Sequence, residues 1–219
     1  VVLWDLKKKV KRRSFEGHTA RVQSVSLSPD GRNAATGSLD GTVRLWNIHS
    51  GVLLQSFESG VGEVHALSYS PDQKCIAIGG QSGIVLIDTA SGKRIHQFAS
   101  EPIHVQTLAF SRDSKYLVSG ARDNSVRLWD VMGGHQIRIF EGHASWVNSV
   151  AISSNSRYLL TGSKDRSVRL WNLATGEPLR LFLGHEGPIN SVAFVPNIPE
   201  AISGSDDRTI RYWPLPESP

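Results

Sequence analysis

Cysteine and methionine are almost absent: Cys75 and Met132 are the only two sulfur-bearing residues in 219. A lone cysteine cannot form an internal disulfide, and the chain has no Asn-x-Ser/Thr acceptor, so nothing marks a cross-linked secreted scaffold. No uninterrupted apolar run approaches the ~18 residues of a membrane-spanning helix, and the start lacks the charged, apolar and small-residue order of a signal peptide. A soluble, intracellular chain is expected, cytoplasmic or nuclear. Val1 falls inside a strand pattern, so the chain reads as a fragment.

A broad basic surface is also missing. The formal charge is +4, yet Lys7, Lys8, Lys9, Lys11, Arg12 and Arg13 supply six positive charges in one short run, and without them the balance is about −2. That is not the distributed footprint of a phosphate-binding face, so nucleic acid is not an expected partner. The run itself reads as lysines guarding an outer strand against edge-to-edge pairing, as a nuclear-localisation signal, or as a contact for an acidic partner. Eight histidines are present, but no His-Glu-x-x-His or paired-cysteine spacing accompanies them, and no metal or cofactor is expected. Ser91-Gly92-Lys93 lacks the earlier glycine of a phosphate-binding loop and reads as a turn. Cys75 alternates with apolar residues, which suits a buried or half-buried side chain better than a reactive thiol.

What is abundant is repetition. Trp4, Trp46, Ile87, Trp129, Trp171 and Trp213 follow one another at steps of 42, 41, 42, 42 and 42 residues. The surroundings repeat as well, in Val43-Arg44-Leu45-Trp46, Val126-Arg127-Leu128-Trp129, Val168-Arg169-Leu170-Trp171 and Ile210-Arg211-Tyr212-Trp213. Within one period, alternating apolar and small polar residues give four strand signals, 22–28, 33–38, 42–48 and 52–57. Ser28-Pro29-Asp30-Gly31, Leu39-Asp40-Gly41 and His49-Ser50-Gly51 separate them as turns. Each period therefore predicts a four-stranded antiparallel meander, and the chain is expected to be all-β.

With Gly17-His18, Gly142-His143 and Gly184-His185 recurring in phase with Asp40, Asp123, Asp165 and Asp207, nearly the whole chain resembles the WD-repeat β-propeller family. The resemblance implies five repeats, about 7–48, 49–89, 90–131, 132–173 and 174–215, with a proline-containing tail at 216–219. Family rings most often have seven blades, about 294 residues at this period, which implies that this chain is part of a larger ring. A five-bladed ring closed by 10–15 against the last sheet is the alternative.

His18, Thr36, Asp40 and Trp46 carry groups that superficially suit a hydrolase. They recur at the same spacing as His143, Thr161, Asp165 and Trp171, and as His185, Ser203, Asp207 and Trp213, whereas an active site is needed once. The resemblance implies a structural tetrad: aspartate holds histidine, histidine meets hydroxyl, hydroxyl meets indole N–H. The third repeat keeps Ser119, Asp123 and Trp129 but has Glu101 in the histidine place. The second has Gly60, Ile78, Ser82 and Ile87, and apolar packing by Ile76, Ile78, Val85 and Ile87 is expected to replace the network. These two are expected to be the softer blades.

By the same resemblance, partners engage the narrower face through residues flanking the first apolar residue of the inner strand and the one before the turn aspartate. In this chain these are Arg21, Gln23 and Leu39; Glu63, His65 and Gln81; His104, Gln106 and Arg122; Trp146, Asn148 and Lys164; and Pro188, Asn190 and Asp206. Unlike the tetrads, they differ between repeats. Trp146 with Arg122 and Lys164 has the aromatic-plus-cation character of an interface anchor, or else is a surface aromatic packed on its neighbour. The functional expectation is a non-catalytic scaffold binding proteins or peptides, with a regulatory or targeting module of a larger kinase or signalling NTPase as the alternative.

Overall fold

The computed structural model describes residues 1–98 and 102–215, and every regular element in them is a β-strand. The chain divides into two compact units, 1–102 and 103–219. The first holds a hairpin, β1 (Val2–Asp5) with β2 (Val10–Ser14), and two four-stranded meanders. These are β3 (Val22–Leu27), β4 (Asn33–Ser38), β5 (Thr42–Asn47), β6 (Leu53–Glu58), then β7 (Val64–Tyr69), β8 (Cys75–Gly80), β9 (Gly83–Asp88), β10 (Arg94–Phe98). The second unit begins with β11 (Val105–Phe110), β12 (Tyr116–Ala121), β13 (Val126–Asp130), β14 (His135–Phe140). It continues with β15 (Val147–Ile152), β16 (Tyr158–Ser163), β17 (Val168–Asn172), β18 (Pro178–Phe182), and a three-stranded sheet, β19 (Ile189–Phe194), β20 (Glu200–Ser205), β21 (Ile210–Pro214). Residues 10–14, considered above as a closing strand for the last sheet, have β1 as their partner. The tail 216–219 lies outside the described residues.

Turn chemistry fixes each meander. In the first, the Ser28 hydroxyl donates to Asp30 Oδ1 at 2.6 Å and accepts the Asn33 N–H at 2.9 Å, closing the β3–β4 turn around Gly31 with φ of 69°. Ser70 with Asp72, Ser111 with Asp113 and Ser153 with Asn155 make the same hydroxyl contact. The sequence period and the sheet are one strand out of step. The stretch 7–48 holds β2 and then β3 to β5, while β6, which completes that sheet, falls in the next period.

Sheets bury themselves against their successors, because a four-stranded meander has two faces and no core of its own. In the first unit Val43 and Leu45 of β5 pack with Val64, Leu67 and Tyr69 of β7 and with Ile76, Ile78, Val85 and Ile87. All four apolar replacements expected for the missing tetrad thus lie in one buried cluster. In the second unit, Val126 and Leu128 pack with Val147 and Val150, and Val168 and Leu170 with Ile189 and Val192. Phe140 tilts onto Trp171 and Phe182 onto Trp213, with centroids 5.8 and 5.3 Å apart. Cys75 is buried, and burial raises its thiol pKa.

Neighbouring inner strands are also stitched by serine. Ser24 and Ser26 on β3 accept the backbone N–H groups of Leu67 and Tyr69 on β7, at 2.9 and 3.0 Å, and Ser149 on β15 accepts that of Val192 on β19, at 3.0 Å. These amides point across the gap between sheets, where a buried unpaired donor would cost about 1–3 kcal/mol. Among the described residues, Val25 and Leu27 of β3 are exposed where their counterparts Leu67 and Tyr69 are buried, and Ile210 and Tyr212 of β21 are exposed where Val168 and Leu170 are buried.

Candidate functional site

Three sheets carry the His–hydroxyl–Trp–Asp set as a connected network. In the second unit, His143 Nδ1 lies 2.8 Å from Asp165 Oδ2, His143 Nε2 lies 2.8 Å from Thr161 Oγ1, and Trp171 Nε1 donates to Thr161 Oγ1 at 2.9 Å. The corresponding distances are 2.9, 2.8 and 2.9 Å for His18, Thr36, Asp40 and Trp46, and 2.6, 2.8 and 2.8 Å for His185, Ser203, Asp207 and Trp213. Indole N–H can only donate and carboxylate can only accept. One assignment then satisfies every group: Trp171 N–H to Thr161, Thr161 O–H to His143 Nε2, and His143 Nδ1–H to Asp165. This is also the order of groups in a nucleophilic triad, but here the Thr161 hydroxyl is fully buried and its oxygen already accepts the Trp171 N–H.

Each network aspartate does more than hold its histidine. Asp165 also accepts the Ala144 N–H at 2.9 Å and both the N–H and hydroxyl of Ser167, at 2.9 and 2.6 Å. Burial alone pushes its pKa up, but hydrogen bonds from His143, Ser167 and Ala144 outweigh this and hold the carboxyl well below the usual range. Asp40 and Asp207 are lowered in the same way, against the same opposing effect of burial.

The third repeat solves the problem differently. Glu101, in the histidine place, lies outside the described residues. Asp123 is instead gripped by Arg127, whose Nη2 donates to Asp123 Oδ2 at 2.6 Å and whose Nη1 contacts the Ser125 hydroxyl, while Trp129 still donates to Ser119 at 2.9 Å. Where a histidine is present, the equivalent arginine lies elsewhere: a Cβ added at Gly142 would meet Arg169 Nη1 at 2.7 Å, and Arg169 sits over the Trp171 ring. The sequence pattern conceals this exchange because Asp and Arg stand four apart in all four of these repeats; the signal is an arginine with no histidine upstream. Arg127→Ala is expected to lower stability by about 1 kcal/mol, read from the urea midpoint, and Arg169→Ala by less, since only the former releases a carboxylate. Equal losses would overturn the exchange.

Distinct from these networks is the edge where each inner strand begins. The pairing register slips there in every sheet, between Val22 and Ser24, Val64 and Ala66, Val105 and Thr107, Val147 and Ser149, and Ile189 and Ser191. The extra residue is Gln23, His65, Gln106, Asn148 or Asn190. A bulge frees a residue from the ladder and re-aims its side chain, so the same backbone device presents glutamine, histidine or asparagine from one sheet to another. A backbone bond then ties the residue before the turn aspartate to this edge, with Leu39, Arg122, Lys164 and Asp206 donating to the carbonyls of Arg21, His104, Trp146 and Pro188 at 2.8–3.1 Å.

In the first unit, Arg21 and Gln23 are exposed, and the half-buried His65 has Nε2 3.7 Å from Glu63 Oε2. The second unit gathers its candidates more tightly. The Trp146 ring lies between the guanidinium of Arg122 at 4.6 Å and the ammonium of Lys164 at 4.4 Å, one cation from the preceding sheet and one from its own. Asn148 donates to the Ile189 carbonyl at 2.9 Å, and Asn190 to Asp206 Oδ1 at 2.5 Å. Of the basic run, Arg12 pairs with Asp5 at 2.5 Å, and Arg13 donates to the carbonyls of Ser50 and His49 at 2.6 and 2.8 Å.

Comparison with known proteins adds two findings. Residues 9–47, 92–130, 134–172 and 176–214, together most of the chain, match the family described as WD domain, G-beta repeat. The stretch between the first two matches carries β6 to β9, with Gly60, Ile78, Ser82 and Ile87 at the network positions. Protein groucho of Drosophila melanogaster is 43% identical over 44 residues, which is 20% of this chain and 6% of that protein.

Proposed function

We propose, from the premise that this chain belongs to the WD-repeat β-propeller family, that it is a non-catalytic scaffold which binds a protein or peptide through the edge centred on Trp146. The observation that carries this reading is the contrast within one sequence. Groups able to do chemistry recur and consume one another in closed networks, whereas the edge residues vary from sheet to sheet and leave an exposed indole between two cations. Packing demands repeat with the fold; an asymmetric partner's demands do not. A Trp or Arg anchor beside neutral contacts is also how binding energy concentrates in interfaces.

Immobilised full-length protein, wild type or Trp146→Ala, would be used to capture soluble proteins from a cell extract, with identification by mass spectrometry. A discrete set present on wild type and reduced at least about tenfold on the variant is expected. An identical set on both overturns the placement of the site, and hydrolytic activity that survives purification and depends on Asp165 or His143 overturns the non-catalytic reading.

A further inference from the structure

We propose, resting on the scaffold reading above, that the Arg122–Trp146–Lys164 edge is specific for an anionic side chain of a peptide, held between the two cations while its apolar neighbour covers the exposed part of the indole. Two like charges flank one ring at 4.6 and 4.4 Å. The ring's negative faces offset their desolvation, but neither cation has a carboxylate within 4.0 Å among the described residues. The nearby acids are already engaged: Asp123 by Arg127 and Ser125, Asp165 by His143, Ala144 and Ser167, Asp206 by Asn190.

A second observation is independent of charge. Arg122 Nε, Gln106 Nε2 and His104 Nδ1 are buried atoms without a hydrogen-bond partner among the described residues. All three sit where β11 begins and β12 ends, and the Arg122 N–H is bound to the His104 carbonyl at 3.1 Å. The first two can only donate, and the third donates in one tautomer. Several arginine Nε atoms elsewhere are also unpartnered, so the weight falls on Gln106 and His104, whose unused polar atoms beside two unpaired cations suit an acceptor carrying negative charge; carboxylate and phosphate oxygens both meet that description. The corresponding edge of the last sheet is the opposite case: Asn190 and Asp206 satisfy each other, and no cation is stacked there among the described residues. The ligand's charge is therefore read by one edge and not by its neighbour.

The probe is a set of five randomised dodecapeptide pools whose central residue is fixed as Glu, Gln, phosphoserine, Ser or Lys, passed over the immobilised full-length protein and the variants Trp146→Ala and Arg122→Gln/Lys164→Gln. Expected on wild type is about fivefold retention of the Glu pool over Gln, or of phosphoserine over Ser, with Lys lowest and the preference shrinking in ~0.5 M salt. The double glutamine variant should abolish the preference while retaining any Trp146-dependent binding of the neutral pools. Preference for phosphoserine over Glu identifies phosphate as the source of the anion, and the reverse identifies carboxylate. Trp146-dependent retention with no preference for negative charge overturns this inference and leaves the scaffold reading standing. Retention unaffected by Trp146→Ala overturns both.

Discussion

Asp165→Ala is expected to lower the unfolding free energy of the protein by about 2–3 kcal/mol, measured by urea denaturation, while leaving the Trp146 edge in place. The substitution removes the acceptor for four hydrogen bonds and leaves His143 Nδ1 with the Ser167 hydroxyl at 3.3 Å. The His143 side chain is only 1% exposed, so solvent cannot replace what is lost. Stranding buried donors costs about 1–3 kcal/mol, which decides the direction against any gain in chain entropy. A change under about 0.5 kcal/mol would mean that the network does not pin the sheet. Acid gives the same experiment in another form. The Asp165 carboxyl is depressed in the folded state, so its contribution is complete above the unfolded value of about 3.9 and is lost as pH falls below it. The wild type should therefore destabilise more steeply than the variant below about pH 4.

In the 219-residue chain taken by itself, Gly162→Ala and Gly204→Ala should separate just as clearly, with the first losing about 2 kcal/mol and the second changing by less than about 0.5 kcal/mol. Both glycines hold the same place in the second strand of their sheets. A Cβ on Gly162 would lie 2.6 Å from Ile189 Cγ2 and 2.7 Å from Val192 Cγ1, so the following sheet would have to move back. A Cβ on Gly204 meets nothing within 4 Å. Neither glycine is among those with positive φ, so space and not backbone strain decides the outcome. Thermal melts of the two variants, run side by side, test the idea that adjacent sheets interlock through these missing methyl groups. Equal losses would refute it.

Much of the fold is legible in the residues alone, because repetition multiplies weak signals. The spacing of Trp46, Trp129, Trp171 and Trp213 sets the period, and alternation in Asn33–Ser38 marks a strand at those residues. The His143–Thr161–Trp171 contacts are those the family resemblance implies for a pattern that recurs three times. What the sequence hides is what occurs once. Arg127 takes over Asp123 in the one repeat that keeps the aspartate without the histidine, and the period, which places Arg four after Asp in every such repeat, does not set that arginine apart. The bulge is equally invisible: it comes from a backbone register slip, while the side chains it redirects, Gln106, Asn148 and Asn190, are polar residues that ordinary strand alternation also places there. The phase of the sheet is hidden too, since a strand that pairs with the preceding meander carries the same alternation as one that pairs with the next.

The serine stitches bear on how such a chain can be lengthened. Ser24 and Ser26 hold their acceptors one period ahead of the amides of Leu67 and Tyr69 that use them, and Ser149 does the same for Val192. At these two junctions the earlier period carries the socket and the later one supplies a backbone amide as the plug. Since any strand has such an amide, a tandem copy of a socket-bearing period would join its successor without a compensating mutation. Drift can then act on exposed edge residues such as Arg21 and Gln23, and unlike surfaces can accumulate on like frameworks.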